Sequence, residues 1–233
     1  MNTTSFIYAA LAGIIPSFLW LYFWLREDRL HPEPKILIFI AFVGGMIAVP
    51  LVLPLEQFVN NHFTGALTIF GLWALIEEFM KYLAGFILVL RKSEDDEPLD
   101  PIIYMITIAL GFSALENTFF ILKPVLAGDA IHAIVTTDLR FIGATLLHVV
   151  CSAIIGASIA LTFYKSKAVK RVGLFIGIIL ATTIHTSFNY FVMQGTGNDA
   201  LMIFFYIWIA AIILMLVIER VKTLYTPTEQ PNM

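Results

Sequence analysis

Seven side chains suited to acid–base or hydrogen-bond chemistry lie inside long hydrophobic stretches of the chain. An ionised group inside a membrane is costly unless it is paired or solvated, so each such residue requires an explanation. Carboxylates and imidazoles are also the side chains that most often move protons in hydrolytic reactions. We therefore take as candidate catalytic residues Glu77, Glu78, Lys81, Glu116, His148, His185 and Asn189.

The spacing of Glu77, Glu78 and Lys81 predicts one unpaired carboxyl group. On a helix Lys81 can reach either acid, four or three residues earlier, but it can neutralise only one of them well. The acid that is left over suits a general base. His185 and Asn189 share one helix face, and their N–H groups suit the oxyanion that forms when a peptide carbonyl is attacked. Such a site needs no metal and no other cofactor.

The composition indicates that these residues belong to a membrane protein. Of 233 residues, 59% are hydrophobic and 13% are charged, and the mean hydropathy is +0.87. A membrane-spanning helix requires about 20 apolar residues, and each run below is long enough. We predict an all-α, polytopic transmembrane bundle of about seven helices that forms one domain over residues 1–233. The runs are 5–25, 36–55, 66–90, 102–122, 139–164, 172–192 and 200–218.

Basic residues are distributed unevenly between the two sets of loops. Lys and Arg are retained on the cytoplasmic side, so their number in short loops sets the orientation of a membrane protein. The loops after the first, third and fifth runs and the C-terminal tail hold eleven, whereas the N-terminus and the other three loops hold one, Lys123. This predicts a multi-pass protein of the cell membrane with its N-terminus outside and its C-terminus in the cytoplasm.

The candidate residues of four runs are expected at one depth. Counted at 1.5 Å per residue from the cytoplasmic end of each run, the depths are ~20, ~21, ~24 and ~20 Å for Glu77, Glu116, His148 and His185. The hydrocarbon core is about 30 Å thick, so this level lies beyond the midplane, toward the outer face. Unrelated residues would scatter over the full thickness, and we therefore predict one shared site.

Two segments resemble motifs of a known family of membrane proteases. Segment 77–81, E-E-F-M-K, resembles the E-E-x-x-K motif of the PrsW family, and segment 110–117, L-G-F-S-A-L-E-N, resembles its G-F-x-x-x-E-N segment. The resemblance covers about residues 71–191, which we take as the motif-bearing core. Three further matches follow in the family's order: the segment 99–104, Arg140 eight residues before His148, and the segment 185–189.

The resemblance implies a glutamate-dependent intramembrane protease, since PrsW proteins belong with the type II CAAX prenyl endopeptidases and bacteriocin-immunity-type membrane proteases. It implies that Glu77 activates water, that Glu78 pairs with Lys81, and that His185 with Asn189 polarises the scissile carbonyl. The second motif ends in glutamate where the CAAX branch has histidine. Two residues therefore remain as the second group that holds the water, Glu116 and His148.

The resemblance also implies the partners of the protein. They are the lipid bilayer and a membrane-bound protein substrate, with no nucleic acid. An anti-sigma factor, cut near the outer surface, is the substrate known for PrsW itself. Prenyl-protein cleavage is less well supported, because that branch works near the cytosolic face.

Two other functions also fit buried acids and histidines. A proton- or ion-coupled transporter uses such groups, but it should show Gly- or Pro-interrupted segments at matching positions of two halves, and no such pair occurs. A zinc-dependent intramembrane protease would draw ligands from His148, His185 and Glu116, although the chain lacks an H-E-x-x-H motif. A purely structural role is open too, because Lys81 with a glutamate, or a lone histidine, can simply join helices.

The orientation can be tested by labelling. A cysteine introduced within residues 94–97 should react with a membrane-impermeant maleimide only from the cytoplasmic side, and one within residues 195–197 only from the opposite side. Cys151→Ala removes the single native cysteine and provides the background for both. Reaction of both positions from the same side would contradict the orientation and the common depth inferred from it.

Overall fold

The chain folds as a helical bundle, and no β-strand occurs in the described residues, 3–29 and 31–224. The predicted all-α fold is therefore confirmed. In this computed structural model the fifth helix runs through a short π-helical turn into the sixth, so that Ala130–Ala160 forms one continuous rod. The elements are α1 (Thr3–Leu25), α2 (Lys35–His62), α3 (Ala66–Leu88), α4 (Asp100–Leu126), α5 (Ala130–Leu139), the π turn (Arg140–Ala144), α6 (Thr145–Ala160), α7 (Lys167–Gln194) and α8 (Gly197–Lys222).

Seven long helical segments result, in agreement with the predicted number. Six are long and apolar enough to cross a membrane: α1, α2, α4, the rod Ala130–Ala160, α7 and α8. The seventh, α3, is as long as α1 but carries Glu77, Glu78 and Lys81 in its interior. All three charged side chains are buried, whereas the exposed face of α3 is apolar and includes Leu67, Leu75, Phe79, Phe86 and Ile87.

Two helix boundaries differ from the hydrophobic runs. Hydropathy falls after residue 55, but α2 continues to His62, so Glu56 lies within a helix rather than in the expected outer loop. The region between the fourth and fifth hydrophobic runs contains a short helix, α5, which continues into the π turn. Both differences arise because a helix that packs on its neighbours can extend through polar residues.

The centre of the bundle is α4. It packs against α1, α2 and α6, and every residue from Asp100 to Ala114 is buried. Two glycines bring the backbones of α2 and α4 close together: a Cβ atom on Gly111 would lie 1.9 Å from the carbonyl oxygen of Phe42, and one on Gly45 would lie 2.0 Å from that of Ile108. Small residues allow such close packing between membrane helices. The helix α4 therefore fixes the positions of its neighbours.

Acidic side chains cluster where α4 begins. The backbone N–H of Glu33 donates to Asp28 at 3.2 Å, and the hydroxyl of Tyr104 donates to the carboxylate of Glu33. The backbone N–H groups of residues 96 and 97 donate to Asp100 at 2.9 and 2.7 Å. Burial, reinforced by the neighbouring Asp100 carboxyl, raises the pKa of Glu33 to about 9. Burial likewise raises the pKa of Asp28 to about 7. These contacts tie the loop between α1 and α2 to α4.

The raised pKa of Glu33 makes stability depend on pH. Its ordinary pKa is 4.5 and its folded pKa is about 9, so the unfolded chain loses this proton first as the pH rises. The stabilisation is complete below about pH 4.5 and is lost progressively as the pH rises to about 9. Glu33→Gln should therefore flatten the fall in melting temperature over this range, measured by differential scanning fluorimetry in detergent.

Glu94→Gln is the matched control, because Glu94 is an exposed acid in the loop between α3 and α4. It should keep the pH dependence of the wild type. A Glu33→Gln variant whose melting temperature falls as steeply as that of the wild type would contradict this account of Glu33.

Candidate active site

Four helices direct polar side chains toward one another inside the bundle. They are α3 with Glu77, Glu78 and Lys81, α4 with Glu116, α6 with His148, and α7 with His185. Five of these residues are at most 4% exposed, and Glu116 is half-buried. Asn189, one turn beyond His185, is half-buried, and among the described contacts it forms no hydrogen bond with the others. The structure thus brings six of the seven candidate residues into one cluster.

The ion pair of Glu78 and Lys81 is the fixed element of the cluster. Lys81 Nζ donates to Glu78 Oε1 at 2.6 Å, and both side chains are fully buried. His185 Nδ1 contacts the same oxygen at 2.8 Å, and Ser152 Oγ donates to the other carboxylate oxygen at 3.4 Å. Glu78 is therefore fully engaged by protein groups. Its pairing with Lys81 follows the arrangement that the spacing of the motif allows.

The partners of His148 determine its tautomer. Lys81 Nζ lies 2.9 Å from His148 Nδ1, and a lysine ammonium can only donate, so Nδ1 must be the acceptor. The proton of the neutral ring is then on Nε2, which lies 3.0 Å from Glu116 Oε2 and donates to it. A second contact of the same kind occurs on α7, where His185 Nδ1–H donates to Glu78 and leaves Nε2 unprotonated in the neutral ring.

Glu77 is the acid without a counter-charge of its own. Its Oε2 is buried and has no hydrogen-bond partner in the described part of the chain. This oxygen lies 4.0 Å from His148 Nδ1 and 3.8 Å from His185 Nε2, too far for direct hydrogen bonds. At such distances between polar atoms a small ligand can bridge the groups. The space bounded by these three atoms is the candidate reaction centre.

Several residues around the cluster could not be recognised from the motifs. Glu56 of α2 brings its carboxyl within hydrogen-bonding reach of the Glu77 carboxyl, and its backbone carbonyl accepts a hydrogen bond from the Trp73 indole at 3.3 Å. Glu56 could have been found only by extending the helix of the second hydrophobic run past residue 55. Cys151 of α6 is buried and lies near Glu78 and His185.

The cluster also contains the donor atoms of a possible zinc site. One oxygen of Glu77 and one nitrogen each of His148 and His185 lie within 4.8 Å of one another. Zinc commonly takes such ligands, and a carboxylate on the second ring nitrogen usually supports a zinc-binding histidine. The donor types therefore fit a zinc ion. The carboxylate ligand would be Glu77, whereas the sequence indicated Glu116. The nitrogen of His148 becomes free for a metal only if Lys81 releases it.

Comparisons with known proteins identify the family of the chain. The family model described as "PrsW family intramembrane metalloprotease" matches residues 32–218, which include all seven candidate residues. Protease PrsW of Shouchella clausii is 25% identical over 199 residues, or 84% of this chain and 87% of that protein. Protease PrsW of Bacillus subtilis is 25% identical over 197 residues, or 80% and 83%.

A third relative matches a shorter stretch at a higher percentage identity. Protease PrsW of Geobacillus kaustophilus is 32% identical over 117 residues, which is 48% of this chain and 51% of that protein. No solved structure matches the chain. The family model covers most of the chain, and the resemblance carried by segments 77–81 and 110–117 is confirmed. The chain therefore belongs to the PrsW family of intramembrane proteases.

Proposed function

We propose that this protease cleaves a membrane-bound protein by a glutamate mechanism in which Glu77 takes the proton of the attacking water. The observation that carries the proposal is the buried Glu77 Oε2, which has no hydrogen-bond partner within residues 3–29 and 31–224 and faces ring nitrogens of His148 and His185 at 4.0 and 3.8 Å. The other two acids of the cluster have basic partners, Lys81 and Arg140. Glu77 is thus the carboxylate available as a general base.

The reaction proceeds in two steps. The water oxygen bonds to the scissile carbonyl carbon while Glu77 accepts a water proton, and negative charge develops on the carbonyl oxygen. His185, whose Nδ1–H is held by Glu78, is the donor to that oxygen when its Nε2 carries a proton, and Asn189 is the second donor. Glu77 then gives the proton to the leaving nitrogen as the C–N bond breaks, which releases a carboxylic acid and an amine.

Both residues that the sequence left open as the second water-holding group already have protein partners. His148 Nδ1 accepts from Lys81, and Glu116 Oε2 accepts hydrogen bonds from Arg140 and His148. We therefore assign both a supporting role, in which they hold the groups around Glu77 in place.

A zinc-dependent mechanism is the second candidate, because the matching family is described as metalloproteases. Glu77, His148 and His185 would then hold the metal. A bound zinc ion would supply an activated water and polarise the carbonyl. The contact at 2.9 Å between Lys81 Nζ and His148 Nδ1 favours the glutamate mechanism, since the ammonium occupies the lone pair that the metal would need.

We also propose that the cleaved bond lies near the extracytoplasmic face of the cell membrane, with an anti-sigma factor as the type of substrate. The distribution of basic residues and the depth of the four helical positions support this location. The closed, mutually paired arrangement of the acids supports hydrolysis over ion transport, because a transport path would place polar groups along the membrane normal.

The roles of the two adjacent glutamates can be separated by amide substitution. Glu77→Gln should lower the cleavage rate of a membrane-tethered substrate at least about 100-fold, because the amide cannot take the proton of water. It should leave the melting temperature nearly unchanged, since Glu77 Oε2 has no hydrogen-bond partner to lose among the described residues and an amide can still bond to the Glu56 carboxyl. Glu78→Gln leaves Lys81 buried without its counter-charge and should cost about 3 kcal/mol or more of stability.

Glu219→Gln is the matched control, since Glu219 and Lys222 form an exposed pair with the same sequence spacing as Glu78 and Lys81. Its loss should change neither activity nor melting temperature appreciably. An active Glu77→Gln variant would remove Glu77 from the mechanism. A stable but inactive Glu78→Gln variant would reverse the two roles.

Chelators distinguish the two mechanisms. Under the glutamate mechanism, EDTA or phenanthroline should leave cleavage by the purified protein unchanged, and elemental analysis should find far less than one zinc per chain. Under the zinc mechanism, activity would disappear with the chelator and return with added zinc, and His148→Ala and His185→Ala would each lose metal together with activity. That second pattern would contradict the glutamate mechanism.

A further inference from the structure

An unusual turn precedes the helix that carries His148. Between α5 and α6, residues Arg140–Ala144 form a π-helical turn, in which the N–H of Thr145 donates to the carbonyl oxygen of Arg140, five residues earlier. Such turns hold more residues than an α-helical turn and often occur at functional sites. The turn sets the rotation of α6 relative to α5. It therefore also sets the direction in which His148, eight residues after Arg140, points.

Arg140 connects this turn to α4. Its Nη2 donates to Glu116 Oε2, and its Nε donates to Asn117 Oδ1. The guanidinium carbon lies 4.0 Å from the centre of the Phe120 ring. The planar arginine fork can bridge two acceptors in this way, which a lysine ammonium cannot do with the same geometry. The three contacts hold Arg140 against a single turn of α4.

Asn117 extends the connection to α6. Its amide nitrogen donates to Ser113 Oγ at 3.1 Å and to Thr145 Oγ1 at 2.9 Å, and all three side chains are buried. Thr145 is the first residue of α6, directly after the π turn. The amide orientation of Asn117 is thus fixed from both sides, with its oxygen toward Arg140 and its nitrogen toward Thr145.

The same oxygen of Glu116 accepts from both Arg140 and His148. His148 Nε2 lies 3.0 Å from Glu116 Oε2, the atom that Arg140 Nη2 also contacts. We propose that Arg140 is a positioning residue: it holds Glu116 as the acceptor of the His148 Nε2–H and so fixes the ring, whose Nδ1 lies 4.0 Å from Glu77 Oε2. This inference rests on the proposed function for its catalytic consequence, but the hydrogen bond of the His148 Nε2–H can be measured independently of activity.

Loss of Arg140 removes both the charge and the geometry of this support. Without it, the half-buried Glu116 carboxylate keeps only His148 among its described hydrogen-bond partners, so it can turn away from the ring. His148 then loses the acceptor of its Nε2–H, while Lys81 still holds Nδ1. The expected consequence is a misdirected ring beside Glu77, rather than a loss of substrate binding.

The experiment compares Arg140→Gln and Arg140→Lys with wild type. Cleavage of a membrane-tethered peptide in proteoliposomes gives kcat and KM. Proton–nitrogen-15 NMR of histidine-labelled protein, with EDTA and without substrate, gives the proton chemical shift of the His148 Nε2–H, which reports the strength of its hydrogen bond, and His148→Gln assigns the signal. The control is Arg91→Gln, because Arg91 is also stacked on an aromatic ring, Phe86, but contacts no carboxylate in the described residues.

Arg140→Gln should lower kcat about 10- to 100-fold with KM changed less than about twofold, a typical cost of misplaced catalytic groups. It should also move the Nε2–H proton signal of His148 upfield, toward that of a weaker hydrogen bond, while the tautomer stays the same because Lys81 still holds Nδ1. Arg140→Lys keeps the charge but not the bridge, and should give an intermediate result. Arg91→Gln should match wild type in both measurements.

A wild-type Nε2–H signal of His148 and a wild-type kcat in the Arg140 variants would overturn the proposal. If Arg140→Gln fails to fold, Arg140→Lys decides the question by the same two criteria. A shifted Nε2–H signal in the variants of a protein that cleaves no peptide would support the positioning role and contradict the proposed protease mechanism, so the two failures are distinguishable.

Discussion

The need to neutralise charge inside a membrane determines the architecture of the cluster. An unpaired ionised side chain in a medium of low dielectric constant is costly, and the bundle meets this constraint with two pairs, Glu78 with Lys81 and Glu116 with Arg140. Each pair also orients one histidine by accepting a ring N–H. The same contacts that neutralise these two acids therefore direct two ring nitrogens toward Glu77, which has no basic partner of its own in the described part of the chain.

The supporting structure follows from this arrangement. The paired groups come from α3, α4 and the rod of α5 and α6, so they can meet only if those helices hold fixed positions. The buried helix α4 and its close approach to α2 through Gly45 and Gly111 provide that rigidity. The acidic cluster at the start of α4 joins the first loop to the same helix. Catalytic groups held on rigid, packed helices keep the geometry that proton transfer requires.

The fold could be predicted largely from hydropathy, because a spanning helix must be long and apolar, and the common depth of four polar positions correctly indicated that they meet. The rotation of each helix was not predictable in this way. Two features depend on which side of a helix packs inward: which acid, Glu77 or Glu116, faces the space between the two histidine rings, and the approach of Glu56 to Glu77. The apolar runs are too uniform to show which side that is. The π turn at Arg140 gives no hydropathy signal at all, since its effect is on backbone geometry.

The central claim is that the space beside Glu77 holds the water that attacks the peptide bond. Anomalous diffraction at the zinc absorption edge, recorded from crystals of catalytically active protein, tests it most directly. The expected result is a water molecule hydrogen-bonded to Glu77 Oε2, with no anomalous peak among Glu77, His148 and His185. An anomalous peak bound by these three side chains, with Lys81 turned away from His148, would contradict the account.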